Sequence, residues 1–192
     1  MYMRNSISHR VCILAVCLFS FAKIANAQTT YIEQSANGSW NTPGLWSPAG
    51  PPDGVDNTIG STSPGGTRTI TLDGSHTIGN INFTVNNNRT YIINAGTTDP
   101  TSVLTLQVSS GTPTANVIAG ITAGFLIINA PVGGTQGLTK GGIGSLVLGG
   151  ANTYTGTTTV SAGNLVVNGS LASGSPVVVN SVGTQLGLGG SG

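Results

Sequence analysis

The sequence predicts an all-β protein that folds as a right-handed parallel β-helix behind a signal peptide and an irregular N-terminal cap. Three observations support this fold class. Glycine, threonine and β-branched residues dominate the chain after Ala27, no window there has apolar residues at helical spacing, and a strand pattern returns at offsets of 19 to 22. We therefore expect a signal peptide at 1–27, a cap at 28–66 and a β-helix at 67–192.

The segment 1–27 has the pattern of a secretory signal peptide. Basic residues precede an apolar run at 11–22, which is too short to span a bilayer core of about 30 Å as a permanent helix. Ala25 and Ala27 are the small residues that a signal peptidase needs, so we expect cleavage after Ala27, leaving Gln28 first. This predicts export by the Sec pathway and a secreted or cell-surface location. An uncleaved N-terminal anchor is the alternative.

Removal of this segment changes the chemistry that remains. Both cysteines, Cys12 and Cys17, lie within it, so the rest of the chain has neither a disulfide nor a cysteine-bound metal. Three basic residues then face five acidic ones, a net charge of −2. Without a basic patch, no nucleic-acid partner is expected.

Short strands separated by turns are predicted from residue 69 to residue 188. All 30 glycines and all nine prolines lie after Ala27, and such residues end strands and form turns. The strand-like runs are 69–72, 78–85, 90–93, 103–108, 125–128, 146–148, 157–160, 165–167, 177–179 and 185–188.

The strand pattern recurs at nearly constant spacing in the second half. The run GSLVL at 144–148 returns at an offset of 19 as GNLVV at 163–167, and more loosely at 183–188. Looking backwards, 126–128 precedes 146–148 by 20, and 104–106 precedes 126–128 by 22. A repeat of about 20 residues with two or three short strands is typical of one coil of a parallel β-helix. An antiparallel sandwich also has frequent strands and turns, but it does not require this spacing.

The segment 28–66 fits neither pattern. Its two tryptophans and its prolines (SWNTPGLWSPAGPPDG) indicate an irregular cap over the first coil, because the end of a solenoid must be covered.

The stretch 137–169 (GLTKGGIGSLVLGGANTYTGTTTVSAGNLVVNG) resembles the autotransporter-associated β-strand repeat, also called the passenger-associated transport repeat. It has that family's Gly-Leu-Thr-Lys start, its Leu-x-Leu strand, its Ala-Asn-Thr-Tyr-x-Gly turn and its Gly-x-Leu-x-Val-Asn-Gly close. The motif positions are Gly137, Leu138, Thr139, Lys140, Gly144, Leu146, Leu148, Ala151, Asn152, Thr153, Tyr154, Gly156, Val160, Gly163, Leu165, Val167, Asn168 and Gly169.

The resemblance implies a bacterial, non-enzymatic structural passenger segment whose repeat assists secretion and folding. It also implies that the partners are the chain's own downstream passenger or a membrane barrel, with an outer-membrane location for the full-length protein. With one full repeat and no barrel in these residues, we expect a truncated product or the N-terminal part of a longer one. The open edge of the last coil is expected to self-associate.

Residues for catalysis are scarce. Enzymes that cleave glycans on a β-helix need clustered carboxylates, or a basic residue beside a metal-binding Asp group, yet Asp99 is the only acidic residue after Asp73. Asp53 and Asp56 follow two prolines and enclose Gly54, so we expect them to form a turn. A glycan-cleaving enzyme would need further Asp, Glu, Lys or His residues beyond the end of this sequence.

His76 has Asp73 and Ser75 beside it, which are residue types of hydrolase triads. Triad members usually come from distant segments, so we expect a turn histidine instead. No catalytic residue, no cofactor and no metal site is predicted.

Two glycine-rich motifs are interpreted as coincidental. Residues 187–192 match the GxGxxG dinucleotide fingerprint, but no helix follows them. Lys140 lies before two glycines rather than at the far end of a phosphate-binding loop, so we expect it to be solvated at the edge of a coil.

An adhesin or glycan-binding module is the alternative function. Trp40, Trp46 and Tyr154 would then be the contacts for host or matrix glycans, because aromatic rings stack on sugars. For Tyr154 we favour a structural position on the outer wall of a coil.

Overall fold

The computed structural model describes residues 28–34, 37–61, 66–85, 90–119, 124–180, 183 and 185–189. Within these ranges the chain forms strands and turns and no helix, so none of the described residues belongs to a helix that could span a bilayer. The predicted signal peptide at 1–27 lies outside the described residues.

Eighteen strands follow one another within the described ranges. They are β1 (Thr30–Glu33), β2 (Gly38–Ser39), β3 (Trp46–Ser47), β4 (Thr58–Ser61), β5 (Thr67–Thr71), β6 (His76–Ile78), β7 (Asn80–Val85), β8 (Thr90–Asn94), β9 (Leu104–Leu106), β10 (Thr114–Ala119), β11 (Phe125–Ile128), β12 (Val132–Gly133), β13 (Leu138–Gly141), β14 (Ser145–Leu148), β15 (Thr158–Val160), β16 (Asn164–Val167), β17 (Val177–Val179) and β18 (Gln185–Leu188).

The strands form three sheets, which are the sides of the solenoid. Sheet 1 has the order β17-β15-β13-β10-β7-β4-β1-β3, sheet 2 the order β18-β16-β14-β11-β8-β5-β2, and sheet 3 the order β12-β9-β6. A coil runs through one strand of each sheet in turn, as β4, β5 and β6 do. After β12, the described part of the third side is reduced to a single parallel bridge, between Ala151 and Ser170.

Pairing between the described strands is parallel, with the one exception of β1 and β3. This confirms the predicted all-β parallel β-helix and excludes the antiparallel sandwich. The coil spacing also agrees with the sequence pattern in the second half: Leu146 pairs with Leu165, 19 positions on, and Leu138 pairs with Thr158, 20 positions on.

One predicted alignment is wrong. The offset of 22 between 104–106 and 126–128 does not reflect stacking, because Leu104 pairs with His76 and Val132 in sheet 3. Leu126 lies in sheet 2 and pairs with Tyr91, 35 positions before it. The early coils carry longer turns than the later ones, so equal spacing in sequence does not mean equal position in the coil.

Regular stacking begins inside the segment 28–66, where the sequence pattern indicated an irregular cap. Within it, β1 and β4 pair in parallel, and β4 pairs with β7. The cap-like feature is β3, which pairs antiparallel on the outer edge of β1. Covering this edge removes a row of free backbone groups that would otherwise promote aggregation.

Several strands were not predicted from the sequence. Strands β10 and β13 contain Lys, Asn, Thr and Ala rather than a run of large apolar residues. The predicted strand 78–85 is two strands in different sheets, β6 and β7, separated by a corner at Gly79. A side chain at Gly79 would collide with the backbone of Asp56, whose Cα would lie 2.6 Å from the added Cβ.

The core is a set of columns in which like positions of successive coils stack. In sheet 2, register places Ile70, Ile93, Ile128, Leu148 and Val167 above one another, and all five are buried. Each such side chain contributes about 1.5–3 kcal/mol when fully buried. Because its neighbours in the column come from adjacent coils, this stabilisation requires the coils to stack.

Candidate functional site

The predicted repeat, 137–169, forms one coil and the first half of the next, with strands β13 to β16. Its apolar motif residues point inward and are buried: Leu138, Leu146, Leu148, Val160, Leu165 and Val167. Gly144 is buried with them, whereas Ala151, Thr153, Asn168 and Gly169 are exposed, and Thr139 and Gly156 are half-buried. The motif therefore encodes a coil and its corners.

Glycines of the motif permit close approach of adjacent coils. A side chain on Gly137 would overlap the carbonyl of Thr157 in the next coil. Gly163 has a φ of +66°, which other residues rarely adopt, and its added Cβ would overlap the carbonyl of Gly144. These positions tolerate no larger residue because the obstacle is backbone.

Asn152 joins three successive coils through its buried side chain. Its Oδ1 accepts from Val132 N at 3.0 Å, while its Nδ2 donates to Gly150 O at 2.9 Å and to Ser170 O at 2.8 Å. These partners belong to the coil before, the same coil and the coil after. The amide side chain therefore supplies cross-coil bonds at the point where sheet 3 has ended.

Tyr154 lies in the core, not on the outer wall that we favoured from the sequence. It is 2% exposed, and its hydroxyl shares a 2.7 Å hydrogen bond with Thr158 Oγ1. Burial raises the pKa of Tyr154 above its usual value, against the opposing effect of the Thr158 bond. The two tryptophans are also buried, with Trp46 Nε1 donating to Trp40 O at 2.8 Å. None of the three rings is free to stack on a sugar, which corrects the predicted glycan contacts.

Lys140 is fully buried, so the expectation of a solvated lysine at the coil edge is wrong. Register places it in an inward column between Ala115 and Val160. Its Nζ donates to three backbone carbonyls, those of Gly141 at 2.6 Å, Gly142 at 2.8 Å and Ala162 at 3.1 Å. Burial lowers the pKa of Lys140 to about 8.

The inward position of this lysine could have been found from the sequence. Leu138 points inward, and alternation along a strand puts the residue two positions later on the same face. We nevertheless expected a solvated position, because a charged ammonium group without a counter-ion is rare in a protein core.

A second cluster surrounds His76, which begins β6 rather than lying in a turn as predicted. Its Nδ1 is 3.0 Å from both carboxylate oxygens of Asp53, and its Nε2 is 2.9 Å from Asp73 Oδ1. The buried ring stacks on Trp40 with centroids 4.9 Å apart. The adjacent Ser75 Oγ instead accepts from Val103 N, at 3.1 Å.

This geometry does not suit base catalysis. Both ring nitrogens of His76 lie within hydrogen-bond distance of carboxylates, Nδ1 of Asp53 and Nε2 of Asp73. Neither nitrogen is therefore free to contact a substrate proton. The hydroxyl of Ser39, which belongs to the cluster, donates to Asp73. The cluster joins the first coil to the corner between β5 and β6.

Asp73 is held ionised by its partners. Burial, the largest single influence, raises its pKa, but hydrogen bonds from Ser39, the Asn41 backbone and His76, together with the charge of His76, lower the pKa below its usual value. Asn41 also donates from its side chain at 2.7 Å.

Asp53 and Asp56, which we expected to form a turn, have separate partners. Asp53 contacts His76, whereas Asp56 lies in a turn with a φ of +72° and accepts from Ser109 N at 2.6 Å. An open hollow beside Asp56 is lined by Gln28, Asp56, Asn80, Val108, Ser109, Ser110 and Thr112. Among the described residues, no group of three His, Cys, Asp or Glu side chains could hold a metal ion.

Fold and site together define a parallel β-solenoid with one tightly cross-linked repeat coil. Residues 138–167 match the model of the passenger-associated-transport-repeat family, so the chain carries this repeat and the predicted resemblance is confirmed. The chain is also similar to the adhesin BmaC autotransporter of Brucella suis biovar 1 (strain 1330), with 35% identity over 173 residues. That alignment covers 85% of this chain and 5% of the adhesin, so the chain spans about a twentieth of that relative. No solved structure matches the chain.

We predict that Asn152→Ala destabilises the protein by about 1–3 kcal/mol, because the buried Val132 N–H loses its partner and an unsatisfied buried group costs about this much. The carbonyls of Gly150 and Ser170 keep backbone partners, Ser170 N and Asn152 N respectively. The exposed neighbour provides the control: Thr153→Ala should change the free energy of unfolding by about 0.5 kcal/mol or less. Urea denaturation of the purified chain, followed by circular dichroism, measures both. Equal effects of the two substitutions would contradict the role of Asn152.

We also predict that Asp73 contributes fully to stability above pH 4 and progressively less as the pH is lowered further. The unfolded carboxyl has a pKa of about 3.9 and the folded one a lower pKa, so the unfolded state binds more protons and stability falls as the pH is lowered through this range. At pH 6, Asp73→Asn should lower the unfolding free energy by about 1 kcal/mol or less, given the partial exposure of the pair. The difference from the unsubstituted chain should shrink steadily as the pH is lowered below 4, and a constant difference between pH 6 and acidic pH would exclude the ionic role.

Proposed function

We propose that this chain is a structural, non-catalytic segment of a passenger that is exported by the Sec pathway to the bacterial surface. In this proposal the coil of residues 137–169 assists the folding of the passenger as it is secreted. The partners are further coils of its own passenger and a membrane barrel, with self-association through the last coil in the isolated chain.

The observation that carries the proposal is the position of the family match. Residues 138–167 coincide with a coil that buried side chains tie to both neighbours. Asn152 bonds it to the coil before and the coil after, and Lys140 bonds it to the coil after. A coil of this kind offers both edges as templates for stacking, which is what a growing solenoid requires.

The histidine cluster supports the non-catalytic part. It is the one place where described histidine and carboxylate side chains meet, and both nitrogens of His76 are engaged with Asp53 and Asp73. The side chain of Lys140 is likewise engaged by carbonyls in the core. Export of a chain without internal disulfides suits a protein that crosses membranes unfolded and gains its stability by stacking afterwards.

We predict that a core substitution in the repeat impairs surface export more than an equivalent one outside it. Leu148→Asp and Ile93→Asp change the same inward column of sheet 2, and both original side chains are fully buried. Each variant is produced in the full-length protein in a bacterium with an outer membrane, and the passenger at the surface is measured by protease shaving. We expect a several-fold larger loss for Leu148→Asp.

Thermal melts of the two purified variants provide the control, since both place a charge in the core and should destabilise the fold severely. If export of the two variants is impaired equally, export depends on folding in general, and a special role of the repeat is refuted. Unimpaired export of both would refute the dependence on folding as well.

An adhesin is the second candidate, and one surface feature favours it besides the similarity to BmaC. Ile92, Ile127, Val147 and Val166 form an outward column across β8, β11, β14 and β16. Exposed Phe125 lies on the same face. The outward positions of these four strands carry no charge, and Asn94 and Asn129 border the apolar column with linked amides. A neutral glycan of the host or its matrix could lie on such a face.

For this second function we predict glycan binding that depends on the apolar column. Ile127→Asn should abolish binding to a neutral glycan on an array, whereas Thr159→Asn, on the outward face of sheet 1, should not change it. Melting curves establish that both variants are folded. Binding that persists in Ile127→Asn, or an array with no binding at all, would eliminate this face as a glycan site.

A further inference from the structure

Three backbone carbonyls converge on one point at the corner of the repeat coil. Gly141 is the last residue of β13 and Gly142 the first of the corner that follows it. Ala162 lies in the corner between β15 and β16, one coil further on. Lys140 Nζ occupies the point where they meet. It lies 2.6 to 3.1 Å from each oxygen.

The number of hydrogen-bond donors on the lysine matches the number of acceptors around it. An ammonium group has three N–H donors and no acceptor, and the cradle offers three acceptors. Without the lysine, the buried carbonyl of Gly141 and the partly buried carbonyls of Gly142 and Ala162 would lose this donor, which costs free energy. No neighbouring charge contributes to the pKa of Lys140, which burial alone lowers. Convergent carbonyl oxygens without a carboxylate are also the ligands with which proteins hold monovalent cations.

The backbone of the same residue strengthens the link between the two coils. Lys140 O accepts from Ser161 N at 2.9 Å and from Ala162 N at 3.4 Å. Lys140 and Ala162 therefore contact each other through the main chain in one direction and through the ammonium group in the other. Both connections join the coil of β13 and β14 to the coil of β15 and β16.

We infer that the corner of the repeat coil is a cation site, with the carbonyls of Gly141, Gly142 and Ala162 as its ligands and the Lys140 ammonium as its built-in occupant. The lysine takes the place of a bound metal ion and fastens one coil to the next. Removing the side chain beyond Cβ opens the site to a small alkylammonium ion. The inference concerns the stability of the repeat coil and does not depend on the proposed role in secretion.

The first test replaces the charge and keeps the volume. Lys140→Met has a side chain of similar length without N–H donors, and we expect it to lower the melting temperature of the full chain by about 5 °C or more. Thr139→Ala, one position earlier and on the outward face, should change it by no more than about 1 °C. A melting temperature of Lys140→Met equal to that of the unsubstituted chain would overturn the inference.

The second test is chemical rescue of Lys140→Ala. Propylammonium has the three carbons and the ammonium group that this substitution removes, so it should restore at least half of the lost melting temperature at pH 7. Tetramethylammonium at the same concentration carries the charge without N–H donors and should restore nothing. Propylammonium should also leave Thr139→Ala unchanged.

The outcomes separate the site from simpler explanations. Rescue by both ions would indicate an ionic-strength effect and overturn the cation site. Absence of rescue by propylammonium, in a variant that still melts cooperatively, would do the same. Either result leaves the export comparison of Leu148→Asp with Ile93→Asp untouched, so failure here is distinguishable from failure of the proposed function.

Discussion

Each coil of this protein buries its apolar side chains only against the coils before and after it. The core and the contacts at the corners therefore both depend on aligned stacking of the coils. The column from Ile70 to Val167 exists because parallel register brings one residue of every coil to the same place. A shift of one residue would turn each strand's inward face outward. This register is stabilised by residues at the corners, which are glycines, an asparagine and a lysine.

The need to pair backbone groups at the corners also explains why polar residues occur in the core of the repeat. Asn152 and Lys140 are both buried, and both direct their hydrogen bonds to backbone groups of adjacent coils. Corners expose backbone groups that a sheet would otherwise pair, and side chains with several donors satisfy them at one point. The conspicuous residues of the repeat are therefore structural contacts between coils, in keeping with a passenger whose surface, and not its core, faces other molecules.

Sequence reasoning identified the fold class and the repeat but placed several side chains wrongly. The spacing of Leu146 and Leu165 predicted stacking correctly because the later coils have turns of nearly constant length. The spacing of Leu104 and Leu126 predicted stacking wrongly, because the early coils have longer turns of unequal length. The alternative, glycan-binding function required Trp40, Trp46 and Tyr154 as contacts, yet each of these rings is buried in the core.

An all-β chain, its solenoid period and the extent of the repeat could be predicted from the sequence, because alternation, turn residues and spacing are local properties. Tertiary structure alone decided that Lys140 meets Ala162, 22 positions away, and that Asp53 meets His76, 23 positions away. Such contacts depend on which corners are stacked, and that depends on the length of every intervening turn. A charged residue such as Lys140 becomes a core residue only when three carbonyls from two coils converge on it.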